Sequence, residues 1–110
     1  MTQSFGDPED PESRRRAQVV FLARLMQEAI LGFEEGRASL SGLSTRLHGL
    51  ISALDAVADH EWVEELRSMR NQLEFVNAVF IDSGRGELTD QERQAIEDTL
   101  GELRGSLIVY

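Results

Sequence analysis

The chain contains no cysteine and no lysine, and its only two prolines lie within the first 12 residues. The absence of cysteine excludes disulfides, zinc–thiolate sites and thiol nucleophiles, and it suits a reducing compartment. No segment approaches the run of about 18 apolar residues that a membrane-spanning helix needs. The amino-terminal stretch is acidic and polar, unlike a signal peptide, so we expect a cytoplasmic location.

Basic residues are also scarce. The 11 that occur are all arginine, and they face 20 Asp and Glu residues, which gives a formal net charge of −9. Such a charge repels nucleic acids and anionic membranes, so we expect neither as a partner. It favours a cationic protein as partner, or it serves solubility alone.

With 110 residues, the chain has room for one domain. Residues 1–12 hold both prolines and four acids without an apolar period, and we predict a disordered acidic tail there. Residues 13–110 are predicted to form the folded domain. Apolar residues recur three or four apart in four stretches, which predict helices over Arg14–Glu35, over Leu40–Val57, over His60–Ser83 and after Thr89.

The links between these helices are short. Thr89 and Glu92 have the spacing of a capping box at the start of the fourth helix. No stretch has the period of two that is typical of strands. We therefore predict an all-α protein, folded as an antiparallel up-down-up-down four-helix bundle.

The sequence offers little for catalysis. Di-metal bundles require Glu-x-x-His motifs, and the nearest pattern here is His60 with Glu64, which would supply half a site at most. His48 lies four residues from Ser44 and from Ser52, a spacing that helical coincidence explains. We expect no metal, no cofactor and no enzymatic activity.

Five carboxylates surround the only tryptophan, Trp62: Asp55, Asp59, Glu61, Glu64 and Glu65. Helix capping and the helix dipole explain the acids at the start of the third helix. An acid in the last turn of the second helix opposes the dipole, so capping does not explain the whole cluster. We predict a partner-binding edge at this corner, which the antiparallel order would place near Glu102. Trp62 fits either the end of the core or a binding anchor.

Four apolar residues lie off the predicted core stripes: Val20, Leu31, Phe75 and Val79. A wide bundle interface would bury some of them. The alternative is that they form a contact surface, either for a partner or for a second copy of the chain.

Most of the chain after residue 16 resembles small, all-helical bacterial immunity proteins of contact-dependent or polymorphic toxin systems. The similarity rests on helix starts and core positions, namely Gly36, Ser39 and Leu40, Trp62, Leu73 and Glu74, and Leu88, Thr89 and Glu92. The resemblance implies a cytoplasmic protein that binds and blocks one cognate toxin, often by covering the cationic active site of a nuclease.

Two hypotheses follow. The first is a non-enzymatic protein that neutralises a basic toxin, with the five acids steering association and Trp62 or Phe75 as apolar anchor. The second is a structural or regulatory homo-oligomer, at its simplest a homodimer, that associates through the four off-stripe apolar residues.

Overall fold

The computed structural model describes residues 10–108, and this part of the chain is built from four α-helices without a strand. They are α1 (Pro11–Glu34), α2 (Leu40–Asp55), α3 (His60–Ser83) and α4 (Asp90–Leu107). The all-α four-helix fold predicted from the spacing is confirmed. Residues 1–9 of the predicted tail lie outside the described residues.

Each helix begins at a side chain that accepts a hydrogen bond from a backbone N–H of the first turn. These N-caps are Asp10, Ser39, Asp59 and Thr89. The last one forms the complete capping box with Glu92. Capping satisfies amide groups that have no partner within the helix, and each cap is worth about 1 kcal/mol. Gly84 ends α3 in the left-handed conformation, at φ 71°, which suits a residue without Cβ.

The end of α1 at Glu34 lies one residue before the predicted end, and two predicted helix boundaries differ by more. Pro11 and Glu12, assigned to the tail, are the first residues of α1, because Asp10 caps the helix and proline is well tolerated where its missing N–H would have no partner. At the other boundary, α2 ends at Asp55 rather than at Val57.

The helices pack in a ring, in which α1 contacts α2, α2 contacts α3, α3 contacts α4 and α4 contacts α1. Cross-helix hydrogen bonds join early residues of one helix to late residues of the next. Asn77 of α3 bonds Ser41 of α2, and the Trp62 indole of α3 bonds the Ser106 carbonyl of α4. These pairs agree with the antiparallel order, which stays a prediction.

The core lies along the axis of this ring, and all four helices contribute fully buried side chains such as Met26, Leu47, Leu66 and Leu103. On α3, Val63, Leu66 and Leu73 are fully buried, whereas Trp62, Met69 and Val76 pack only partly against the core.

Candidate partner-binding surface

The five acids of the predicted cluster are all exposed, but they differ in their local partners. Asp59 is the N-cap of α3, and its carboxylate accepts from the Trp62 backbone N–H at 3.3 Å. Arg67 forms ion pairs with both Asp55 of α2, at 3.9 Å, and Glu64 of α3. Three of the five predicted acids therefore already have a local role, either in capping or in neutralising an arginine.

The other two acids of the cluster, Glu61 and Glu65, are exposed on α3. Neither forms an ion pair within residues 10–108. Both carboxylates thus present their full charge to solvent.

Trp62 lies between these two acids in sequence but turns inward. Its indole packs partly against the core, and Nε1 donates to the Ser106 carbonyl at 3.2 Å. This bond satisfies the polar group of a half-buried indole. The placement agrees with Trp62 as the end of the core and joins the start of α3 to the end of α4.

Phe75 is 70% exposed, so its aromatic ring lies on the solvent-facing side of α3. It continues a stripe of exposed residues with alternating steps of four and three, the spacing that places side chains on one side of a helix. The stripe consists of Glu61, Glu65, Ser68, Gln72, Phe75 and Val79. Ten residues separate Phe75 from Glu65, which is about 15 Å along the helix. The acids and the aromatic ring thus share one side of α3 at opposite ends.

Helix α4 supplies the other wall of this surface. Thr99 Oγ1 donates to Gln72 Oε1 at 3.1 Å, which ties the two helices together midway. An open groove of about 510 Å³ lies along this junction, lined by Ser68, Asn71, Gln72, Phe75, Val76, Ala95 and Thr99. Helical spacing from Thr99 places two exposed acids, Asp98 and Glu102, beside the groove.

We call this surface the α3–α4 face. Its exposed residues are Glu61, Glu65, Ser68, Gln72, Phe75 and Val79 from α3, and Ala95, Asp98 and Glu102 from α4.

The arginines of α3 and α4 all turn away from the α3–α4 face. Arg67 and Arg70 contact α2, whereas Arg93 and Arg104 line a groove between α1 and α4. Their ionic partners are Asp55 and Glu64 for Arg67, Glu74 for Arg70, Glu87 for Arg93, and Glu34 for Arg104. Among the described residues of α3 and α4, the charges on the α3–α4 face are therefore all negative.

Glu92, in the first turn of α4, is neutralised by a neighbouring arginine. Arg85 donates to both carboxylate oxygens of Glu92, at 2.9 and 2.8 Å, and the Thr89 backbone N–H donates at 2.8 Å. The hydrogen bonds from Arg85 contribute most to lowering the pKa of Glu92 to about 2, and the bond from the Thr89 backbone contributes next. The interaction with Glu92 in turn raises the pKa of Arg85. Glu92 thus stays ionised at neutral pH but adds little net charge to the surface.

The off-stripe apolar residues fall into two groups. Phe75, Val79 and Leu31 are exposed, as expected for a contact surface, whereas Val20 is half-buried. The structure also exposes three large apolar side chains that the pattern did not single out, namely Phe21, Ile81 and Ile108. Their exposure depends on how neighbouring helices pack, and a helical period on its own carries no such signal.

Within residues 10–108, no group of three or more His, Cys, Asp and Glu side chains is arranged to hold a metal ion. None of the helices in this range has the length and apolarity needed to cross a membrane.

The chain matches no protein-family model, no curated protein and no solved structure. The resemblance to immunity proteins therefore stays a prediction, and the α3–α4 face is the main basis for inferring function.

Proposed function

We propose that this chain is a non-enzymatic immunity protein that neutralises a basic toxin domain in the cytoplasm through the α3–α4 face. One observation supports the proposal most strongly: Phe75 is exposed on a surface whose described residues include four carboxylates without an ion pair and no arginine. One of the four, Asp98, accepts a hydrogen bond from Gln94 at 2.9 Å. An exposed aromatic side chain is the kind of anchor that contributes most binding energy at protein interfaces. Carboxylates on the same face steer a cationic partner and exclude an anionic one.

The acids on and near this face differ in how readily they can bind a cationic partner. Glu61, Glu65 and Glu102 form no ion pair with another described residue, so they attract arginine or lysine from the partner. Asp55 and Glu64 already contact Arg67, and a partner would have to compete with that arginine. We therefore assign binding to Glu61, Glu65 and Phe75 among the predicted site residues, and we add Asp98 and Glu102.

The partner class follows from the same charges. A toxin that cleaves nucleic acid needs a cationic surface to bind phosphates. An acidic protein that covers such a surface blocks substrate binding without reaching the catalytic groups. This agrees with the function that the immunity-protein resemblance implies.

A growth assay tests the proposal. A basic protein encoded beside this gene is expressed in a test bacterium, alone or with the chain. We expect growth arrest from the neighbour alone and recovery with the wild-type chain. A face variant with Glu65→Lys and Phe75→Ala should fail to protect. The matched control, Glu97→Lys with Phe21→Ala, changes one acid and one exposed aromatic residue outside the face, and it should protect fully.

Two results would contradict the proposal. One is that the face variant protects as well as the wild type at equal expression. The other is that no neighbouring gene product arrests growth.

A homo-oligomer is the second candidate, and the exposure of Phe75, Val79 and Leu31 favours it. The carboxylates oppose pairing of two α3–α4 faces about a twofold axis. With the axis along the helices the acidic ends meet and repel, and with the axis perpendicular to the helices each acidic end meets an apolar end that offers no cation. Sedimentation equilibrium distinguishes the candidates, because the immunity proposal expects a monomer at high micromolar concentration.

A further inference from the structure

The two ends of the α3–α4 face differ in chemistry, and this difference constrains the segment that a partner would place on it. Glu61, Glu65 and Glu102 lie toward the end where α3 begins and α4 finishes, an end located by the bond between Trp62 and Ser106. The apolar residues Phe75, Val79 and Ala95 lie toward the opposite end. A partner that satisfies both ends must therefore separate its positive charges from its apolar anchor.

The walls of the groove also limit the backbone conformation of the partner. Both walls are helices, so their mid-helix N–H and C=O groups are bonded internally and offer no edge to an added strand. The backbone N–H and C=O groups of an extended segment would find few hydrogen-bond partners in the groove, because only a few side-chain amides and hydroxyls line it. A helix satisfies its backbone internally and needs only side-chain contacts.

We propose that the partner seats a basic amphipathic α-helix along the α3–α4 face, with an apolar anchor beside Phe75 and basic side chains at Glu65 and Glu61. Ten and fourteen residues separate Phe75 from these acids in α3. On a helix lying alongside, the matching same-side positions are about 11 and about 14 residues from the anchor. This inference rests on the proposed function and specifies the chemistry of the partner segment.

Two labelled synthetic peptides test the spacing by fluorescence anisotropy at low salt. Both are helical, with one phenylalanine and two arginines on the same helical side. In the spaced peptide the arginines follow the phenylalanine by about 11 and 14 residues, and in the compact peptide by about 4 and 7. We expect the spaced peptide to bind the wild-type chain at least about tenfold more tightly, since only this peptide satisfies both ends of the face.

Protein variants assign the binding to the face. Phe75→Ala and Glu65→Gln should each weaken binding of the spaced peptide, whereas Glu97→Gln, which removes an acid on the α1 side of α4, should not.

Equal affinity of the two peptides, with both still dependent on Glu65, would overturn the helical spacing and leave the proposed function standing. Binding that ignores both Glu65 and Phe75 would overturn the face itself, and with it both proposals. Absence of binding by either peptide would overturn the inference alone, because the growth assay tests the proposed function independently.

Discussion

Two residues of α3, two positions apart, should respond to truncation in opposite ways. Leu73 is fully buried in the core, whereas Phe75 is 70% exposed on the α3–α4 face. Replacing a buried leucine by alanine removes apolar contacts and leaves a cavity, which costs about 3 kcal/mol. We therefore expect Leu73→Ala to destabilise the bundle strongly.

The cost of Phe75→Ala is much smaller. Burying a whole phenylalanine side chain is worth about 1.5 to 3 kcal/mol, and less than a third of Phe75 is hidden, so about 0.5 to 1 kcal/mol is lost. Alanine has the better helix propensity, by about 0.5 kcal/mol, which offsets much of this loss. The expected net change in the free energy of unfolding is about 0 to 0.5 kcal/mol.

Urea unfolding measures both variants, with Trp62 fluorescence and far-ultraviolet circular dichroism as independent probes. For an m-value of about 1.5 kcal/mol per molar, Leu73→Ala should lower the midpoint by about 2 M. Phe75→Ala should lower it by less than about 0.4 M. A large loss from Phe75→Ala would show that this ring belongs to the core, and the assignment of the α3–α4 face would then be wrong.

Three further predictions concern local contacts. The pKa of Glu92 is about 2, below its ordinary value of 4.5, so its stabilisation is present above pH 4.5 and is lost as the pH falls through about 2. Glu92→Gln should therefore flatten the loss of stability on acidification, and an unchanged pH profile would contradict the role of Arg85. Ser44 is fully buried and donates to Glu74 at 2.6 Å, so Ser44→Ala should cost about 1 to 2 kcal/mol by chemical denaturation, and no loss would contradict that bond. Gly101 lies within α4 without a positive φ, and a Cβ there meets no neighbour, so Gly101→Ala should stabilise by about 1 kcal/mol in thermal unfolding, and no gain would contradict an open position.

The helix boundaries that the sequence predicted well are those with strong local signals. Both ends of α3 match, because Asp59 caps its start and Gly84 allows the left-handed turn at its end. The start of α4 matches because Thr89 and Glu92 form a capping box within four consecutive residues. The start of α1 also has a local signal, Asp10 followed by Pro11, but the two prolines and four acids of residues 1–12 favour a tail when the sequence is taken alone.

The binding surface was only partly predictable, because it depends on contacts between helices. The sequence shows an excess of acids from residue 55 to residue 65, but only the packing of α2 against α3 shows that Arg67 forms ion pairs with Asp55 and Glu64. The side of α4 that faces α3 likewise follows from the bond between Thr99 and Gln72. Helical spacing placed Phe75 off the core, and its exposure confirms that prediction.

A pull-down from a lysate of the source organism tests the central claim most directly. Three proteins are compared at low and at high salt. They are the wild type, the face variant with Glu65→Lys and Phe75→Ala, and the control variant with Glu97→Lys and Phe21→Ala. The account predicts one basic protein, retained by the wild type and the control, absent from the face variant and released by salt. A partner that all three proteins retain equally, or one that salt does not release, would contradict an acidic binding surface on α3 and α4.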